Sequence, residues 1–272
     1  MRILILGASG VAGSAIYEEL HAHHTVYGTY FSSQTCLMGR EHMLPLDISQ
    51  DGRLNEVLRI AAPEIIVSCL QGDFSAQLQA HEDAARYLSS KENGRLFYLS
   101  SANVFDGDDG RVHYEDDIPT AESEYGRFKI ACEGMLAGIL GERAVILRLP
   151  FIWSRRPGSR LDKLFDAVQK GTSIPAWSNL YTNHTTDRQI AAYVHFLLDQ
   201  GKGGIFHVGS REACEYIPFL ENLLRKVFPT QNIPFIIEEN TKTSYLAVLS
   251  KRQDIPDHLL TGNEEILSYL TG

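Results

Sequence analysis

Residues 2–13 read RILILGASGVAG, an apolar run of strand length that breaks directly into glycines at 7, 10 and 13. A helical pattern, Val11–His21, follows without a gap. Strand, glycine turn and helix in immediate succession form the pattern of a phosphate-binding loop. The glycines permit a tight turn and close approach of a pyrophosphate to the backbone, and the free amides and positive dipole end of the helix then face its charge. A dinucleotide is the expected ligand, touched by Gly7, Ser9, Gly10, Val11 and Gly13. Three glycines that merely end a strand are the bland alternative.

Outward from this loop, short apolar runs alternate with helical patterns: Thr25–Tyr30, Met43–Leu46, Glu64–Leu70, Phe74–Ser90, Arg95–Ser100 and Ala144–Leu149. Strands rich in Ile, Val and Leu on both faces, separated by helices, predict an α/β fold: a Rossmann-type, doubly wound parallel sheet. After Pro150 the rhythm changes to helix Arg160–Lys170, a loop through Asn183–Thr186, helix Asp187–Gln200, strand Gly204–Val208, helix Tyr216–Phe228 and strand Ile233–Glu238. A smaller C-terminal α/β lobe is expected. The division is residues 1–150 for an NAD(P)-binding domain, completed by about 184–208, with 151–183 and 209–272 as the substrate lobe.

The second strand ends in Tyr30-Phe-Ser32-Ser33, where an acidic residue would hold the adenosine ribose of NAD. Without a carboxylate to repel a 2′-phosphate, Tyr30, Ser32 and Ser33 place NADP(H) ahead of NAD(H), with Arg40 a distant source of charge. Asp47 and Ile48 after the third strand are expected to frame adenine, although an aspartate there also suits a turn. Cys69 and Leu70 after the fourth strand, and Pro150 after the sixth, complete the expected cofactor contacts.

Ligands of doubly wound sheets sit outside the carboxyl ends of the strands, so Ser101, ending Arg95–Ser100, should face the same crevice. Tyr125 and Lys129 stand one helical turn apart and share a face. A phenol titrates near 10; a neighbouring ammonium would favour its phenolate, and a serine hydroxyl can hold a substrate oxygen. Ser101, Tyr125 and Lys129 are therefore the expected catalytic set. Phe128, Cys132, Met135, Leu136 and Ile139 supply a separate apolar stripe. Glu133 is read as a surface partner of Lys129, and Gly126, a poor helix former, calls for a reason beyond propensity.

Composition bounds the rest. The chain has 272 residues, 44% hydrophobic and 22% charged, with a formal net charge of -9, so it offers no basic footprint for nucleic acid. Its four cysteines are widely spaced with no C-x-x-C pair, which points to a reducing cytoplasm and to no metal site. No apolar run approaches membrane-spanning length, and the strand beginning after Met1 leaves no room for a leader, so a soluble, unprocessed protein is expected.

The sequence resembles the extended short-chain dehydrogenase/reductases, specifically the dTDP-4-dehydrorhamnose reductase family. GASGVAG, LSSANVFDG, YGRFKIACE and VILRLPFIW occur in that family's order over residues 1–153, and NHTTDRQIA and GIFHVGS resemble its later half more loosely. The resemblance implies that Tyr125 donates a proton, that Lys129 also holds the nicotinamide ribose, and that Ser101 positions the carbonyl of a sugar or nucleotide-sugar substrate. Asn103 and Phe151 then fall on the substrate side. Departures are visible: Ala102 and Asn103 replace a carboxylate and a phenol, Phe151 stands where tryptophan is common, and the segment Ser68–Asp73 is short. Two alternatives follow from these departures. One is a noncatalytic NADP-binding regulatory subunit, of the kind found in methionine adenosyltransferase; the other is a sugar-nucleotide epimerase or dehydratase. A homodimer is compatible with each.

Overall fold

The computed structural model describes residues 1–32, 39–231, 235–239 and 241–272. The first half runs β1 (Arg2–Leu6), α1 (Val11–Leu20), β2 (Thr25–Tyr30), β3 (Met43–Pro45), α2 (Arg53–Ala61), β4 (Ile65–Ser68), α3 (Phe74–Ser89), β5 (Arg95–Ser101), α4 (Glu124–Leu140) and β6 (Ala144–Leu149). It continues through β7 (Phe151–Trp153), α5 (Arg160–Lys170), β8 (Ile174–Trp177), β9 (Leu180–Thr182), β10 (His184–Thr186), α6 (Asp187–Asp199) and β11 (Gly204–His207). The last elements are β12 (Cys214–Glu215), α7 (Tyr216–Val227), β13 (Phe235–Glu238), β14 (Ser244–Leu246) and α8 (Asn263–Thr271).

Seven strands form one parallel sheet in the order β11-β6-β5-β4-β1-β2-β3. The chain therefore winds outward in both directions from β1, and the crevice for a ligand opens where the winding reverses, between β1 and β4. This is the Rossmann-type α/β architecture. Its central strands are apolar on both faces because both are covered. Ile3 and Ile5 pack with Ile16, Leu20, Ile190 and Val194 on α1 and α6, whereas Leu4 and Leu6 meet Leu58, Ala84, Leu88 and Leu136 on the other side. A third apolar cluster, centred on Trp153, Leu164, Phe219, Leu223 and Leu267, holds the later elements together.

Some local expectations are corrected. Residues 184–186, read as a loop, form β10, which pairs in parallel with β7. The polar segment His-Thr-Thr lacks an apolar alternation, and the pairing depends on a partner more than 30 positions earlier. Helices α2 and α8 were not anticipated, although Leu54, Val57, Leu58 and Ala61 lie at helical spacing and are buried. Of the last strand expected, Phe235–Glu238 is present, and residues 233–234 lie outside the described residues. No helix among the described residues is long and apolar enough to cross a membrane.

Candidate active site

The three glycines of the loop answer to different constraints. Gly7 has a φ of 80°, and a Cβ there would stand 2.7 Å from the Cys69 carbonyl oxygen; its amide donates to Thr29 Oγ1 at 2.9 Å. A Cβ on Gly13 would collide with the Gly7 carbonyl. Gly10 alone has room for a Cβ, which would make only an ordinary contact with the Gly7 oxygen at 3.4 Å. It starts α1 without any side-chain cap, so the helix's first amides face the crevice unclaimed by a side chain.

A groove of about 700 Å³ runs from Ser9, Gly10, Val11 and Gly13 past Cys69 and Leu70 to Tyr125 and Lys129. Arg40 lines it too, donating to the Ala8 carbonyl at 3.0 Å, Ser14 Oγ at 2.6 Å and Glu18 at 2.9 Å. Among the described residues, Gly7, Tyr30, Ser32, Asp47, Ile48 and Pro150 are not part of this lining, and Pro150 lines the smaller cavity described below. Asp47 accepts from the Ser49 amide at 3.0 Å, the Ser49 hydroxyl at 2.6 Å and Gln50 at 2.9 Å. Its carboxylate closes its own turn, which is the alternative reading of that aspartate. Ser33 lies outside the described residues.

At the groove's inner end, β5 and the start of α4 converge. Ser101 Oγ donates to Asn103 Oδ1 at 2.9 Å and accepts from the Asn103 amide at 3.2 Å. Asp106 clamps the first turn of α4, accepting from the Glu122 amide at 2.7 Å, the Ser123 amide at 3.1 Å and the Ser123 hydroxyl. Ser123 in turn caps the helix by accepting from the Gly126 amide at 2.9 Å. Gly126 is explained here: a Cβ would run into the Asn103 carbonyl, so only glycine lets α4 lie against the turn that carries Ser101 and Asn103. A second cavity of about 270 Å³ adjoins, lined by Ser101, Asn103, Tyr125, Pro150, Phe151 and Arg160. Tyr125 and Arg160 face both cavities.

Lys129 is buried, and its ammonium donates to the Leu99 carbonyl at 2.8 Å. Burial pulls its pKa down to about 8. The ammonium also lies 4.6 Å from the centre of the Tyr98 ring and 5.5 Å from that of Tyr125. The Tyr125 phenol is raised above its ordinary value by burial, with the Ser101 hydroxyl drawing it the other way. The expected lowering by Lys129 is therefore corrected for the protein alone. Desolvation of the phenol outweighs an ammonium that is directed at Leu99 and at ring faces, and Tyr125 stands as a neutral acid.

Glu133 is also corrected. It is buried, accepts from Ser100 Oγ at 2.5 Å and forms a two-pronged ion pair with Arg148, Nη2 to Oε2 at 2.8 Å and Nε to Oε1 at 3.1 Å. That pair ties α4 to β6 and β5 beneath Tyr125 and Lys129. Sequence reasoning missed Arg148, Asp106 and Arg160. The one signal for Arg160 is its place after Ser159, which caps α5 by accepting from the Asp162 amide. Its guanidinium lies 4.5 Å from the centre of the Phe151 ring.

Residues 1–232 match the pattern of the RmlD substrate binding domain family. Methionine adenosyltransferase 2 subunit beta of Bos taurus is 28% identical over 236 residues, covering 78% of this chain and 67% of that protein. The "Probable low-salt glycan biosynthesis reductase Agl14" of Haloferax volcanii is 25% identical over 241 residues, 82% of this chain and 79% of that one. Among solved structures, the dTDP-4-dehydrorhamnose reductase of Bacillus anthracis in complex with NADP superposes with a TM-score of 0.74 at 18% identity, over 99% of this chain and 98% of that one.

Proposed function

The chain belongs to the RmlD substrate binding domain family, and on that premise we propose that it is an NAD(P)H-dependent reductase of a keto group on a sugar or nucleotide-sugar. The observation that carries this reading is the position of Tyr125, which faces both the long groove and the smaller cavity with Ser101 beside it. The groove suits a dinucleotide: an open Gly10, an uncapped helix start and the cationic Arg40 lie at one end, and Lys129 at the other. Ser9, Gly10, Val11, Gly13, Cys69, Leu70 and Lys129 would hold it, with Gly7 shaping the turn, and the nicotinamide supplies the hydride when bound. Arg40, which lines the groove, favours NADP(H), the cofactor held by the Bacillus anthracis structure, with NAD(H) the alternative.

Ser101 would orient the substrate carbonyl by hydrogen bonding. Negative charge that develops on its oxygen draws the proton from the neutral Tyr125 phenol. Tyr125 as a whole residue is 39% exposed, so water stays within reach of the site and would restore the proton. Asn103 and Phe151 would shape the sugar side, and Arg160, at the junction of the two cavities, offers charge to a phosphate. In this reading residues 1–150, completed by about 184–208, bind the cofactor, and 151–183 with 209–272 bind the substrate. A protein without a nucleic-acid partner accords with the net charge of -9, and a cytoplasmic homodimer completes the proposal.

A hydride balance tests the proposal. NADPH should be oxidised stoichiometrically by a 4-keto sugar nucleotide. The likeness to a methionine adenosyltransferase subunit favours a noncatalytic second reading. It would stand if NADPH is bound tightly, no carbonyl oxidises it and a partner enzyme co-precipitates. Recycling of bound NAD without net oxidation would instead indicate an epimerase or dehydratase.

A further inference from the structure

The far end of α1 and the last turns of α6 assemble a second set of polar side chains, unrelated to the groove. His24, in the segment after α1, and His195 and Asp199 on α6 each offer one donor atom, and these atoms all lie within 4.8 Å of one another. His195 Nε2 and an Asp199 carboxylate oxygen are 3.4 Å apart. That spacing matches the edge of a tetrahedron built on metal–ligand bonds of about 2.0–2.1 Å, roughly 3.3 Å. Being four residues apart, the two ligands share one helical face.

The opposite nitrogen of His195, Nδ1, stands 2.7 Å from the Glu19 carboxylate. A proton held on Nδ1 by that carboxylate leaves the Nε2 lone pair facing Asp199, the arrangement by which a carboxylate orients a metal-bound imidazole. His24 Nε2 is shut off from solvent and has no hydrogen-bond partner among the described residues, which is costly for a polar atom unless something engages it.

We propose that His24, His195 and Asp199 form a binding site for a divalent transition metal, Zn²⁺ by preference, with Glu19 orienting His195. Two imidazoles and one carboxylate suit zinc, cobalt or nickel, in contrast to the all-oxygen sets of magnesium and calcium. The His23 ring, centred 5.3 Å from that of His195, is near enough to supply a fourth ligand by rotation, and water is the other candidate. The site would staple the α1–β2 connection to α6. It lies along α1 about 15 Å from the glycine loop at 1.5 Å per residue, so its role is structural and separate from the reaction.

The test uses the full chain without a histidine tag. Calorimetric titration with ZnCl₂ should give one equivalent bound, and CoCl₂ should give the visible absorption of a four-coordinate site. His24→Ala, His195→Ala and Asp199→Asn should each weaken zinc binding at least tenfold, and Glu19→Gln by about 10–100-fold. His21→Ala, in the same histidine-rich segment, should leave it unchanged. Zinc should raise the thermal midpoint of the parent chain and not of the variants. Circular dichroism establishes that each variant is folded; Asp199→Asn, nearly isosteric, decides if a histidine variant is not. Zinc affinity unaltered in the folded variants, or lost equally with His21→Ala, would overturn the proposal and leave adventitious binding to surface histidines.

Discussion

Lys129 holds its ammonium 2.8 Å from the carbonyl oxygen of Leu99, at the end of β5 and beneath Tyr125. The contact anchors the lysine but leaves much of its charge desolvated, and its pKa falls to about 8. In the unfolded chain the same amine titrates at about 10.4. Between pH 8 and pH 10 the unfolded state therefore binds more protons than the folded one, and Lys129 makes stability rise with pH in that window. Lys129→Met should remove this rise. The unfolding free energy from denaturant titrations of the cofactor-free proteins should rise by about 2 kcal/mol more from pH 8 to pH 10 in the parent than in the variant; an equal change in both would refute the buried, depressed lysine.

Replacing Tyr125 by Phe removes one oxygen and nearly conserves packing. Turnover should fall by about 10²–10⁴-fold, the usual worth of general acid–base assistance, while the thermal midpoint and NADPH affinity stay near those of the parent. Steady-state kinetics with a 4-keto sugar nucleotide, beside calorimetry, checks both halves. A variant that retains full turnover would take the proton donor away from Tyr125.

Gly10 and Gly13 should respond differently to substitution. Gly10 has a φ of -78° and room for a Cβ, so Gly10→Leu should fold normally and obstruct the groove, abolishing NADPH binding. Gly13→Ala drives a methyl group into the Gly7 carbonyl and should destabilise the fold by about 1–3 kcal/mol. Thermal melts and cofactor titrations on the two proteins distinguish the roles, and equal melting loss in both would contradict the open face of Gly10.

Arg148→Met leaves Glu133 buried with Ser100 as its remaining partner. Breaking a buried pair from one side typically costs about 3–5 kcal/mol, and the loss should appear in urea unfolding. The double variant Arg148→Met with Glu133→Gln should recover part of it, because no uncompensated charge is then buried. If the double variant is no more stable than Arg148→Met alone, Glu133 is not carrying that charge inside.

What the sequence determined by itself is local in origin. A strand passing through Gly7, Gly10 and Gly13 into a helix, and a tyrosine and lysine one turn apart, are consequences of backbone geometry over a few residues, so the Rossmann-type sheet and the candidate set Ser101, Tyr125 and Lys129 were legible from order and spacing. Tertiary structure alone decided what those groups do electrostatically. Lys129 is drawn to Leu99, 30 positions earlier in the chain, Glu133 is turned inward to Arg148, and His24 meets His195, because the strand order brings distant segments into contact. Desolvation decides the rest: it sums over atoms supplied by several elements at once, so the directions in which the Tyr125 and Lys129 pKa values move depend on packing that no short stretch of sequence encodes.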